Sequence, residues 1–247
     1  MKVNWFKYAA PMNFYSLAGK VIPLFWLTAI VLIVGGLYWG FFETPDSLGN
    51  GMKEYYRIIY VHVASAWMAM WLYAVMVAWS MIGLIFNTKL SYMMASATAI
   101  TGTVMTLIAL ITGAIWGKTS WGTWWDWDPK LTIFLILLFV YIGYLALQSA
   151  IDDTRRSDKA SSLLALVGLV LVPIIYYAVN CPDPNQCSSL HQESSLKNVE
   201  ANILIAMLIT TLGFWAYSFA TILMRVRNII LERELNTTWV SKLKEVN

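Results

Sequence analysis

The chain has 247 residues, of which 59% are hydrophobic and only 13% charged, with a formal net charge of +3. A soluble domain carries about 25% charged residues, so the composition excludes an ordinary soluble protein and points to an integral membrane one. The small net charge says little by itself, and no basic run suggests a nucleic-acid partner.

A spanning helix needs roughly 20 mostly apolar residues. Six stretches qualify, at about 21–41, 58–86, 92–116, 130–150, 160–179 and 201–224. The expected fold is all-α and integral to the membrane: a six-transmembrane helix bundle, one domain over residues 1–247. The first apolar run is too long for the apolar core of a cleavable signal peptide and reads as a signal anchor. Lys and Arg divide unevenly between the connections. Twelve fall in the N-terminus, the second and fourth loops and the C-terminal tail, and five in the first, third and fifth loops. In short loops the basic side stays in the cytoplasm. Both termini are therefore expected inside and the odd-numbered loops outside.

In chain order, the first chemistry-bearing stretch is Arg57 to Trp67, with His62 at the outer end of the second span. An ionisable side chain at membrane depth faces the bundle or a cavity. A structural hydrogen bond and a ligand role are equally open for His62 taken alone.

Between the third and fourth spans lie Trp116-Gly117-Lys118 and Trp121-Gly122-Thr123-Trp124-Trp125-Asp126-Trp127-Asp128. Five of the chain's 13 tryptophans fall in this one segment. So much flat apolar surface needs a membrane interface or a large flat ligand. If residues 121–128 are helical, Trp121, Trp124, Trp125 and Asp128 share one face. Asp128-Pro129 reads as an N-cap and first helical residue. Spacing alone leaves an aromatic belt and a ligand platform equally open. Arg57, Lys118 and Lys130 are outer cations near these motifs; Arg57 and Lys130 are the candidates for an anionic group on a ligand, and Lys118 fits headgroup contact better.

The fifth loop carries Cys181 and Cys187, then His191. On the oxidising side of a membrane an even count favours a disulfide, with a metal or redox role as the lesser alternative. A lone loop histidine usually has no role. The chain contains only two histidines, however, and the expected topology puts both beside the tryptophan segment. Two neutral imidazoles can take one metal, and a haem iron accepts one from each face. There is no Walker A sequence, so ATP hydrolysis by that route is not expected. There is no C-x-x-C-H, so haem would not be attached covalently in the c-type way.

With these residues assembled, the chain resembles the haem exporter protein C (CcmC) family of the bacterial cytochrome c maturation system, whose tryptophan signature is the WWD motif. The resemblance runs nearly end to end. It rests on the stretch around His62, on Trp121–Asp128, on Pro173-Ile174-Ile175-Tyr176-Tyr177 and on Leu190-His191-Gln192. It implies a bacterial inner-membrane protein with a Trp-rich periplasmic loop, holding non-covalent haem b. His62 and His191 would be axial ligands of the iron, and Trp116, Trp121, Trp124, Trp125, Trp127 and Asp128 would contact the macrocycle. It also implies partners: a membrane-tethered periplasmic haem chaperone, a small single-span protein, and the permease and ATPase subunits of an ABC transporter. The sequence departs from the family pattern at Pro129-Lys130, where Ala-Arg is expected, and the Cys181–Cys187 insertion is not a family feature. On this reading the chain is not an enzyme but a component that binds and transfers haem. The rivals are a bis-histidine b-type electron-transfer cytochrome, a haem lyase forming thioether bonds, and a haem-conducting channel.

Overall fold

The computed structural model describes residues 5–45, 54–178, 191 and 199–246. Among the described residues, eight α-helices run in the order α1 (Pro11–Phe42), α2 (Ile59–Phe86), α3 (Lys89–Trp121), α4 (Pro129–Ala150), α5 (Thr154–Gly168), α6 (Leu171–Tyr177), α7 (Ala201–Arg233) and α8 (Thr238–Val246). Six helical segments among the described residues are long and apolar enough to cross a membrane, α5 and α6 together forming the fifth. The protein is an all-α membrane bundle. Cys181 and Cys187 lie outside the described residues.

Helix boundaries differ from the sequence expectation where polar residues lengthen a helix beyond its apolar run. The first helix begins at Pro11 rather than near 21, with a proline at its start, where a missing N–H costs nothing. The fifth span is broken between Gly168 and Leu171. The last runs to Arg233 instead of ending near 224.

The third helix makes the most consequential difference. It continues through Trp121, so Trp116, Gly117, Lys118 and Trp121 are helical and not part of a loop. It stops at Gly122, whose φ of +80° is a left-handed conformation that a side chain would strain. Lys118 Nζ donates to the Gly122 carbonyl at 3.0 Å, closing that end. Residues 122–128 are not helical, so Trp121, Trp124, Trp125 and Asp128 do not share a helical face. Asp128 starts α4 as its N-cap, accepting from Lys130 N at 2.8 Å and Leu131 N at 3.4 Å.

Packing pairs α1 with α7, α2 with α3, and α4 with α5; α2 and α3 also touch α7. Lipid tails are as apolar as leucine, so close backbone approach between small residues drives association here. The buried residues of α3 accordingly include Ser91, Ala95, Thr98, Ala99, Gly102 and Thr106. On α1, a Cβ at Gly36 would stand 2.5 Å from Thr210 Oγ1 of α7, so only glycine fits. Two buried tyrosine hydroxyls find carbonyl partners: Tyr73 donates to Ala165 O and Tyr141 to Ala69 O, both at 2.9 Å.

Candidate functional site

A cavity of about 540 Å³ opens at the end of the bundle where α2 and α4 begin and α3 ends. Its walls are largely apolar: Val63, Ala66, Met70, Leu110, Phe134 and Ile175. Into it come His62, His191, Lys130, Trp116, Trp121 and Trp125. Residues far apart in sequence thus meet.

His62 sits in the first turn of α2. Its Nδ1 lies 3.1 Å from the Ala109 carbonyl oxygen and 3.0 Å from Thr112 Oγ1, both on α3. A carbonyl only accepts, so Nδ1 carries the proton and Nε2 the lone pair. Thr112 is itself committed to Ile108 O at 2.6 Å. Nε2 makes no hydrogen bond among the described residues. The ring lies close to α3 because residue 113 is glycine: a Cβ there would be 3.0 Å from His62 Cε1. His191 faces His62 with ring centroids 6.2 Å apart and planes 33° apart. Lys130 Nζ stands 3.2 Å from His191 Nδ1, and Lys130's own backbone is held by the Asp128 cap.

The remaining sequence candidates fall elsewhere. Trp124 and Trp127 are 59% and 74% exposed and do not line the cavity; Trp127 meets Trp125 edge-on at 5.8 Å. Asp128 is buried under the start of α4. Arg57 lies in a short 3-10 turn before α2 and donates from Nη2 to Thr44 O at 3.5 Å. It is not among the lining residues.

The sequence reading missed the apolar wall residues that share a helix face with His62 and Trp116. Ile59, His62, Val63, Ala66 and Met70 form one stripe of α2, and Ala109, Leu110, Gly113 and Trp116 one stripe of α3. Helical spacing from His62 and Trp116 would have found both stripes. Gly113 carried no signal, because its role depends on which helix α3 faces.

A family model described as "Heme exporter protein C" matches residues 4–241. The chain is 39% identical over 237 residues to "Heme exporter protein C" of Escherichia coli, covering 95% of this chain and 94% of that protein. It is similar to proteins of the same name from Paracoccus denitrificans, at 39% over 234 residues and 93% and 94% coverage. The Haemophilus influenzae protein of that name is 34% identical over 243 residues, with 96% coverage of both chains.

Proposed function

The chain belongs to the haem exporter protein C family, and on that footing we propose that its cavity holds non-covalent haem b for delivery to a partner in cytochrome c maturation. The observation that carries the reading is the histidine pair. With metal–imidazole bonds of about 2 Å and ring centres about 1 Å behind the nitrogens, two imidazoles on opposite faces of one iron have centroids about 6 Å apart. His62 and His191 stand at 6.2 Å. His62 also has the right tautomer, since the Ala109 carbonyl fixes the proton on Nδ1 and leaves the Nε2 lone pair.

The surroundings fit a porphyrin. A volume of about 540 Å³ falls within the range of ligand cavities, roughly 300–1,000 Å³. Trp116, Trp121 and Trp125 supply flat apolar contact, while Trp124 and Trp127 form a lip outside the cavity. That lip suits a membrane-tethered chaperone reaching for the haem edge. Asp128 acts through α4, by fixing the backbone of Lys130. Lys130 and Arg57 are the propionate partners, Lys130 from within the cavity and Arg57 from beside it. The 12-to-5 split of basic residues supports a periplasmic site with both termini in the cytoplasm of an inner-membrane protein. Residues 1–247 act as one unit, beside a small single-span protein and the permease and ATPase subunits of an ABC transporter. The function needs no bond-making side chain: two imidazoles saturate the iron, and the apolar wall retains the ring.

The test is an absorption spectrum of haem-loaded, detergent-purified protein. Wild type should be six-coordinate and low spin. His62→Ala and His191→Ala should each lose that signature and fail to load the chaperone. An unchanged spectrum in the double variant would overturn the axial assignment.

A further inference from the structure

The two histidines of the cavity are not in equivalent states, and the difference lies in their partners. His62 is held by a carbonyl, which can only accept. His191 is held by an ammonium, which can only donate. Lys130 Nζ at 3.2 Å therefore donates to His191 Nδ1, placing that ring's lone pair on Nδ1 and its proton on Nε2. A ring so held offers iron nothing. Binding through Nδ1 requires the ammonium to leave that atom. Binding through Nε2 requires the proton on Nδ1, where it would point at an ammonium with no acceptor. Whichever nitrogen ligates, the Lys130 contact and an iron bond exclude each other.

The cavity also dictates what can draw Lys130 away. Among the described lining residues Lys130 carries the only charged side chain, the two imidazoles being neutral, and Leu131, Phe134 and Ile175 of the same wall are apolar. The nearby Asp128 carboxylate accepts from the amides that open α4. A cation among apolar walls gains most from an arriving anion. The long lysine stem lets the head swing while its backbone stays fixed.

Resting on the haem reading above, we propose that Lys130 is a carboxylate-released block on His191: its ammonium occupies the imidazole until a carboxylate of the incoming porphyrin takes it, so the second axial bond forms only with a carboxylate-bearing porphyrin. One hydrogen bond breaks, one ammonium–carboxylate pair and one iron–nitrogen bond form, and the ring keeps its single proton. Lys130 is thus a positioning residue for the iron ligand and a determinant of specificity.

The experiment compares ferric haem with haem dimethyl ester, which lacks free carboxylates, in wild type, Lys130→Met and Lys130→Arg. The readouts are the low-spin fraction by absorption and the rate at which it forms. Wild type and Lys130→Arg should be six-coordinate with haem and five-coordinate with the ester. Lys130→Met should be six-coordinate with both and form the low-spin state at least tenfold faster. Wild type binding the ester in the six-coordinate state as readily as haem would overturn the block, and that measurement needs no variant to fold. Equal discrimination in Lys130→Met would overturn it too. His62→Ala and His191→Ala with haem separate the two ideas. If neither alters the spectrum, the ligation reading fails. If they alter it and the ester behaves as haem does, only the block fails.

Discussion

The two ends of the bundle use polar side chains in opposite ways. Opposite the tryptophan segment, Arg233 of α7 grips Asp158 of α5 with two nitrogens, at 2.8 and 2.9 Å. Gln148 of α4 donates to Asp158 Oδ1 at 3.1 Å and to Ser161 Oγ at 2.8 Å. Arg233, Asp158, Gln148 and Ser161 pair with one another there, and the product is a clamp joining three helices. At the tryptophan end His62 is bonded through one nitrogen only among the described residues, beside a cavity of about 540 Å³. A polar group that holds the fold is saturated by its neighbours. A polar group that serves a ligand keeps valence open and space in front of it.

The contrast predicts that damage at the clamp appears as lost stability and damage at the cavity as lost binding. The largest effect should come from Arg233→Leu. It strands the Asp158 carboxylate, whose side chain is only 6% exposed, and should cost about 3–5 kcal/mol. Thermal unfolding in detergent measures it, and the haem spectrum of the folded fraction should not change. The double variant Asp158→Leu/Arg233→Leu should recover most of the loss, because no unpaired charge remains. A spectrum altered by Arg233→Leu would break the separation between the two ends.

Trp125→Ala comes next. It removes cavity wall while leaving both imidazoles in place. Haem retention should fall about tenfold to a hundredfold, given about 1.5–3 kcal/mol for a large buried apolar side chain. The axial spectrum should stay low spin. Gly113→Ala should act more gently, by crowding His62 Cε1 at 3.0 Å. About 1 kcal/mol of overpacking corresponds to roughly fivefold weaker haem binding, with a distorted low-spin signal in electron paramagnetic resonance.

Trp127→Ala should be the mildest for the isolated protein. With 74% of that residue exposed, haem retention should stay within about twofold, near the ±0.5 kcal/mol of ordinary surface changes. Transfer to the chaperone should slow instead. A haem-retention loss as large as that of Trp125→Ala would move Trp127 from the lip into the site. The side on which the cavity opens has its own test, in a Cys181→Ser/Cys187→Ser background. An impermeant thiol reagent added outside should label Ser120→Cys and spare Asp152→Cys, both exposed positions.

Much of this protein is determined locally and is therefore legible in its sequence. Six spans follow from runs of apolar residues, because the bilayer tests length and hydrophobicity segment by segment. The α4 cap follows from Asp128-Pro129, because N-cap chemistry involves only the next few amides. The rarity of histidine and the crowding of tryptophan mark where to look. What the sequence leaves open involves partners distant along the chain. Arg233 reads as part of a solvated tail until α5 and α7 meet across 75 residues. The end of α3 at Gly122, rather than near residue 116, decides which tryptophans turn toward the cavity. The tautomer of His62 depends on a carbonyl 47 residues away, and the contact on His191 on a lysine 61 residues away. Composition and local spacing identify the groups able to bind. Only helix packing decides which nitrogen is left with an open lone pair, because that depends on the donor or acceptor the fold sets against the other.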